Sequence, residues 1–335
     1  MSFRALLIRS LYAFAIFCAA LIIILLIALL QSKIRIFSNF SEHFIAKSEV
    51  EPFPVSVNIY TKTINENTNL ENYYNNSLAK APESKDNWWN KIAALFAKKE
   101  WYQNLASPVS RIVVVWPGER KEQVLKNFSD ILDWDENQEK EFELLVDNSY
   151  PYIAEGKYFP SQYVAHKQAS PEDVYKLMKD EFKTQVLSRY SEDVEEAVPL
   201  EDALVIASLL EREASDFENM REVSGVIWNR LFINMPLQLD ATLQYAKANK
   251  TGETSKWPKI RPDDKYLKSP FNTYQNSGLP PAPISNPSTE AILAALNPVS
   301  TNCLFYFHTN DGGYNCSENY EEHVAKLRSI YGQGS

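Results

Sequence analysis

Glu211 and Glu213 stand two residues apart in the stretch ASLLEREAS (Ala207–Ser215), just after an apolar run of Ala203, Leu204, Val205, Ile206, Ala207, Leu209 and Leu210. A positioned carboxyl group can give or take a proton; a solvated one on a helix surface does neither. The helical period separates the two. At about 100° per residue, position 213 lies roughly 20° from Ile206, in line with the apolar stripe, whereas Glu211 falls about 140° away, beside Arg212. Glu211 therefore reads as a surface charge and Glu213 as a carboxyl where a leucine is expected. Such a group is costly unless protonated, paired or lining a cleft. Periodicity alone leaves two readings open: a working acid, or the partner of a buried arginine such as Arg230.

Further polar residues cluster downstream. Asn229 and Arg230 follow VSGVIW, and Gln238 and Asp240 stand in MPLQLDATLQY, with Thr242 and Tyr245 at short helical spacing beyond. Asn272, Thr273 and Tyr274 sit in a long proline-rich segment, SPFNTYQNSGLPPAPISNP, where a stiffened loop could hold polar groups along a groove. The four histidines are scattered and the three cysteines (Cys18, Cys303, Cys316) form no CxxC pair, so no zinc site of standard spacing is visible. Cys303 and Cys316 flank a hairpin signal, Asn-Asp-Gly-Gly, and could pair or remain free thiols. A net charge of −9 without a basic cluster argues against nucleic acid.

The elements that must position these residues follow from patterning. Ser10–Ser32 carries no charge over 23 positions. At about 1.5 Å per residue that spans a hydrocarbon layer of about 30 Å, and it lacks a good cleavage site. It reads as a single anchor, residues 10–32, after a short tail, 1–9; Cys18 would lie within it. The flanking Arg4, Arg9, Lys33 and Arg35 nearly balance; the short tail makes an outer catalytic body the simpler expectation. Residues 33–110 form a membrane-proximal region. It contains an alternating strand over Val55–Ile64, an Asn-rich loop or short exposed helix, and an amphipathic helix over Trp88–Tyr102. Residues 111–196 form a small α/β module. RIVVVWPGER is a strand closing on a Pro-Gly turn, followed by helices over Lys121–Leu132 and Asp135–Val146. An aromatic loop over Glu155–His166 leads to a helix opened by Ser170-Pro171. Residues 197–335 form a mainly helical domain with helices near 200–215 and 218–234, a turn and short helix, the proline-rich loop into another helix, the hairpin and a closing helix. The fold class is α+β with an N-terminal transmembrane helix, and no internal repeat is present.

The strings ASLLEREA, VSGVIWNRL, MPLQLDATLQY, SPFNTYQNSGLPPAPISNP, ILAALNP, LFYF and YEEH occur in that order over about Leu200–Leu327. Together they resemble the membrane-anchored endolytic murein transglycosylases, the MltG (YceG-like) family. VVWPGERKEQVLKNF and EGKYFPSQY resemble two further units of that family. The resemblance places the catalytic glutamate on Glu213 and implies cleavage of the β-1,4 bond between N-acetylmuramic acid and N-acetylglucosamine in peptidoglycan, leaving 1,6-anhydro-muramic ends; no cofactor or metal is expected. It implies glycan contacts for Asn229, Arg230, Gln238, Asp240, Thr242, Tyr245, Asn272, Thr273 and Tyr274. Arg230 and Asp240 could equally form a structural ion pair. The implied partners are glycan strands, the bilayer and peptidoglycan synthases. Departures exist. Ala241 replaces proline in the Q-x-D-P-T string, Ala282 replaces glycine in G-L-P-P-G-P, and Tyr314 and Cys316 stand where the hairpin pattern has histidine and phenylalanine. The family's LysM-like first module is not recognisable in residues 50–110. Two other expectations compete: a glycan-binding scaffold without turnover, and a lysozyme-like hydrolase with Asp240 or Glu222 as second carboxylate.

Overall fold

The computed structural model describes residues 50–66, 69–77, 109–149, 155–251 and 255–332. The expected anchor (10–32) and the amphipathic helix (88–102) lie outside them. Among the described residues no helix is long and apolar enough to cross a membrane.

The strand expected over Val55–Ile64 is broken into β1 (Val57–Asn58) and β2 (Thr63–Ile64), paired antiparallel with Val57 opposite Ile64. Asn58 causes the break. Its Oδ1 accepts from the backbone N–H groups of Tyr60 (3.0 Å) and Thr61 (2.9 Å), closing an Asx turn that competes with strand pairing. Helix α1 (Leu70–Ser77) follows.

Next come β3 (Ser110–Val114), α2 (Lys121–Leu132), α3 (Glu136–Ser149), β4 (Gln162–His166) and α4 (Pro171–Gln185). Strand β4 occupies the second half of what reads as an aromatic loop. Its residues alternate, with Tyr163 and Ala165 buried and Gln162, Val164 and His166 turned outward, so it pairs antiparallel with β3, Val113 facing Tyr163. The buried faces of this pair and the stripes of α2, α3 and α4 enclose one core of Val113, Val124, Phe128, Phe142, Tyr158 and Met178 among others. Helix α4 starts where Ser170-Pro171 announces it. The Ser170 hydroxyl accepts from the Asp173 N–H, and Asp173 answers on the Ser170 N–H.

A second core belongs to α5 (Glu192–Ala197), α6 (Leu200–Glu213), α7 (Phe217–Phe232), α8 (Asp240–Thr251) and α9 (Thr289–Leu296). Phe53, Val57, Leu70 and Tyr73, from the stretch before β3, are buried in it. Helix α9 is its hub: Ala291 to Leu296 are fully inaccessible, and it packs on both α6 and α7. Full burial of leucines and isoleucines such as Leu204, Ile206, Leu209 and Leu210 stabilises by about 1.5–3 kcal/mol each. Gly225 in α7 is required sterically, because a Cβ there would lie 2.4 Å from the Val299 carbonyl oxygen. Strands β5 (Phe305–His308) and β6 (Tyr314–Ser317) form the expected hairpin, and α10 (Tyr320–Tyr331) closes the described chain.

Between the two cores lies a buried polar junction. Glu155 is 2 % exposed; it accepts from the Lys121 N–H through Oε1 and from the Tyr245 hydroxyl through Oε2 at 3.2 Å. The Arg120 guanidinium is 4.2 Å above the Tyr245 ring and bonds Glu122 and Asn249. Burial, reinforced by the Glu122 charge, raises Glu155 from the ordinary 4.5 to about 8. A carboxyl raised on folding contributes stability that is complete below about pH 4.5 and lost as pH climbs through about 8, at a slope approaching 1.4 kcal/mol per pH unit. The melting temperature is expected to fall between pH 5 and pH 8, and Glu155→Gln to flatten that fall. Parallel profiles of the two proteins in calorimetric melts across that range would contradict this.

Candidate active site

Helix α6 ends at Glu213 because Ala214 turns extended, at φ −126°, and Asp216 starts α7 by accepting from the Asn219 N–H at 3.0 Å. The last turn of α6 thus presents Glu211, Arg212 and Glu213 to three different surroundings.

Glu213 is half-buried. Its Oε2 accepts from the Tyr306 hydroxyl of β5 at 2.9 Å. Burial raises its pKa; the Tyr306 bond and the Ala241 N–H oppose that rise, while the Asp240 charge adds to it. Its place at a helix C-terminus, the negative end of the macrodipole, also favours the protonated form. No ion pair joins Glu213 to Arg230 among the described residues, so the paired-arginine reading does not describe this site. Arg230 instead donates to the carbonyls of Leu304 (2.6 Å) and Leu237 (2.5 Å), and its guanidinium lies 5.2 Å from the Phe305 ring. Nor does it pair with Asp240. It ties β5 to the chain before α8.

Glu211 is not the surface charge that the helical wheel indicates. Its Oε1 accepts from the backbone N–H (2.8 Å) and the hydroxyl (2.6 Å) of Ser288, the N-cap of α9. Burial raises its pKa to about 7, against the pull of both Ser288 bonds. The wheel fails here because the outer side of α6 is covered by the segment before α9: Ser208 also accepts from the Ile284 N–H and takes up the Ser285 hydroxyl through its carbonyl. Arg212, between the two acids, lies 4.1 Å over the Trp257 ring.

The other singled-out residues divide into two groups. Asp240 and Tyr274 lie close enough to act on Glu213, and Gln238 is exposed just before Asp240. The Tyr274 hydroxyl donates to Asp240 Oδ1 at 2.8 Å, and its ring carries Lys265 Nζ at 5.0 Å. Asp240 and Gln238 are exposed, and Gln238 has φ +52° with its N–H on the Thr273 carbonyl. The remainder are turned to scaffolding. Thr242 and Thr273 are sealed in and bond each other at 2.9 Å, and Thr273 also accepts from the Leu239 N–H. Asn272 holds the Lys265 and Leu267 carbonyls through Nδ2 and the Tyr274 N–H through Oδ1. Asn229 Nδ2 donates to the Thr301 and Cys303 carbonyls. Tyr245 points to Glu155, away from this face. Tyr306, which meets Glu213 directly, was not singled out. Its place in LFYFH between two other aromatics offers no signal of which face it takes.

The hairpin forms the aromatic side of the site. Tyr306 and Tyr314 stack at 6.1 Å with 28° between planes, and His308, register partner of Tyr314, lies 5.8 Å from both rings. Cys303 and Cys316 are joined as a disulfide with Cα atoms 5.8 Å apart, which settles the pairing left open above. Closing this loop is worth about 3 kcal/mol by chain entropy. Cys303→Ser with Cys316→Ser is expected to lower stability by about that amount. A thermal melt identical to that of the wild type, and insensitive to reductant, would refute it. Among the described residues no three His, Cys, Asp or Glu side chains group as a metal set. A cavity of about 800 Å³ lies elsewhere, walled by Tyr175, Met178, Phe182 and Leu200.

The sequence model of the YceG-like family matches residues 85–329, most of the chain. This chain belongs to the YceG-like family. It is 34 % identical over 170 residues to the endolytic murein transglycosylase of Bacillus subtilis (strain 168), covering 50 % of this chain and 46 % of that protein. It is 30 % identical over 178 residues to the endolytic murein transglycosylase of Streptococcus pneumoniae serotype 2, covering 53 % of this chain and 32 % of that one. The chain thus spans less than half the length of these curated relatives. A crystal structure of a YceG-like protein from Listeria monocytogenes superposes with a TM-score of 0.55 at 26 % identity, over 64 % of this chain and 75 % of that one. Two departures from the YceG-like pattern now have locations. Ala241 supplies a backbone N–H that acts on Glu213, where a proline would supply none. Tyr314 leaves the hairpin an imidazole on the facing strand, His308, whose Nε2 lies 2.9 Å from Asn219 Oδ1. Nothing in the structure explains Ala282.

Proposed function

We propose that this YceG-like chain is an endolytic lytic transglycosylase that cleaves peptidoglycan glycan strands, with Glu213 as the acid and then the base. The observation that carries the reading is Glu213 itself: a half-buried carboxyl without an ion-pair partner among the described residues, held by Tyr306 and biased toward its protonated form. In the first step Glu213 protonates the glycosidic oxygen as the bond from the muramic C1 breaks. In the second, the muramic C6 hydroxyl attacks C1 and its proton returns to the Glu213 carboxylate, giving the 1,6-anhydro ring and restoring the acid. One carboxyl serves both steps because the nucleophile belongs to the substrate; a hydrolase needs a second to activate water.

Asp240 and Tyr274, which act on Glu213, and the exposed Gln238 are the proposed glycan contacts. Asn229, Arg230, Thr242, Asn272 and Thr273 hold that face in shape, and Tyr245 secures the junction behind it. Residues 10–32 are proposed as a single-pass anchor in the cytoplasmic membrane, with the catalytic body outside and beside peptidoglycan synthases, ending nascent strands.

The proximity of Asp240, whose charge acts on Glu213, favours one second reading, a hydrolase with Asp240 as base. Mass spectrometry of purified peptidoglycan digested by the full chain separates them. Anhydro-muramic ends are expected; reducing ends would establish the hydrolase, and intact strands a binding protein.

A further inference from the structure

We infer that Tyr306 is a positioning residue for Glu213: its hydrogen bond to Oε2 fixes how the carboxyl stands and stabilises the form that takes the proton back. The inference rests on the reading of Glu213 as acid and base.

The tyrosine is built into a rigid support. Its hydroxyl reaches Glu213 Oε2 at 2.9 Å. Its ring is stacked on Tyr314, whose own hydroxyl is tied to the Glu222 carbonyl at 3.3 Å. On its other flank His308 is bonded to Asn219, in the first turn of α7. At the base of the hairpin Arg230 grips the Leu304 carbonyl and the disulfide joins the two arms. Three attachments to α7 therefore fix where the phenol can stand. Burial holds the Tyr306 hydroxyl well above the ordinary tyrosine range, so it remains protonated and remains a donor.

That donor has a chemical consequence. A carboxyl that begins as acid and ends as base needs both forms within reach near the working pH. Desolvation and the exposed Asp240 of α8 favour the acid; the Tyr306 hydroxyl, the Ala241 N–H and Arg212 favour the carboxylate. Tyr274, on the loop before α9, Arg230, on α7, and Tyr314, on β6, also face this pair, and Arg230 acts on both Tyr274 and Tyr306. Tyr306 is a neutral side chain bonded to the acid, so it can stabilise the carboxylate without a formal charge.

The test compares the pH dependence of kcat/KM for the full-length wild type, Tyr306→Phe and Ala241→Pro on purified peptidoglycan. Phenylalanine keeps the ring contacts and removes only the donor. The alkaline limb, where Glu213 loses its proton, is expected to move up by about one pH unit in Tyr306→Phe, with the plateau reduced about tenfold. Ala241→Pro, which removes the second donor at a first-turn position that accepts proline, is expected to move the limb the same way. A tyrosine with a merely structural role would lower the rate and leave the limb in place. A second readout needs no turnover: the 13C resonance of the Glu213 carboxyl, assigned by its loss in Glu213→Gln, should titrate about one unit higher in Tyr306→Phe. If Glu213→Gln cleaves at the wild-type rate, the catalytic reading fails and the titration alone decides the Tyr306 bond. If Glu213→Gln is inactive but neither limb nor resonance moves, the inference about Tyr306 is overturned by itself.

Discussion

Glu213→Gln is expected to lower strand cleavage by about 10³-fold or more while leaving the protein folded. General acid–base catalysis by one positioned group is worth about 10²–10⁴ in rate, and here the same group serves in both steps. Glutamine matches the shape of glutamate and its carbonyl can still accept from Tyr306, so the hairpin and the end of α6 keep their contacts. Stability should move the other way. The folded protein raises the Glu213 pKa, so the ionised carboxylate is disfavoured there relative to the unfolded chain. Removing the charge should leave the melting temperature unchanged or higher at pH 8. Loss of activity with retained or increased stability is the signature of a group kept for chemistry rather than for folding. The measurement pairs release of soluble glycan fragments with thermal melts of the same preparations. Cleavage within tenfold of wild type would remove Glu213 from the mechanism. A collapse of stability would reassign it to the scaffold.

The contrast between Glu211 and Glu213 shows how much of this site could be read from the chain. Both lie on α6, and the period of the apolar residues located Glu213 on the inner line correctly, because that depends on one helix alone. The same period misplaced Glu211, since what covers the outer side of α6 arrives from Ile284–Ser288, more than 70 residues later. A helical wheel carries no information about a second segment. The hairpin was legible in the same limited way. Asn-Asp-Gly-Gly marked its turn, and the structure pairs Phe305–His308 with Tyr314–Ser317, yet three aromatics in a row did not reveal that Tyr306 faces Glu213. Strand β4 is hidden in the sequence because Gly156 and Pro160 stand just before it, and their turn chemistry masks the two-residue alternation of Gln162–His166.

The polar residues around Asp240 make a related point. Gln238, Asp240, Thr242, Asn272, Thr273 and Tyr274 look equivalent as candidates for binding sugar. The fold divides them by burial: Asn272 and Thr273 are at most 1 % exposed, as is Thr242, and their hydrogen bonds are spent on the loop and the start of α8. A groove wall needs an inner layer of satisfied polar groups to hold an irregular loop in place. Residue type cannot distinguish that layer from the surface it supports.

Asn286 carries the strongest expectation about how that support works. It is fully buried and joins three segments. Its Nδ2 donates to the Glu119 carbonyl at 2.8 Å, and its Oδ1 accepts from the N–H groups of Gly156 (2.9 Å) and Tyr158 (3.0 Å). Its own backbone exchanges bonds with Gly118 and Glu119. Two residues on, Ser288 donates to Glu211. Asn286→Ala removes the side-chain bonds: the Glu119 carbonyl keeps its bond from the backbone N–H of residue 286, but the Gly156 and Tyr158 amides lose their acceptor, at about 1–3 kcal/mol for each. A total loss of about 3 kcal/mol or more is expected, equivalent to a drop of about 4 °C or more for a chain of this size. Asn286→Asp keeps the acceptor and loses the donor, so it should fall between, with its new charge adding a desolvation cost. Hydrogen exchange locates the damage: the amides of Gly156 and Tyr158 should lose protection in Asn286→Ala before those of the α9 hub. Because Ser288, which donates to Glu211, lies on the same segment as Asn286, loosening that segment also frees the last turn of α6, and cleavage should fall even at temperatures where the variant is folded. Unchanged protection at Gly156 and Tyr158, with a melting temperature within about 2 °C of wild type, would show that the contact does not tie the Pro-Gly turn to the active face.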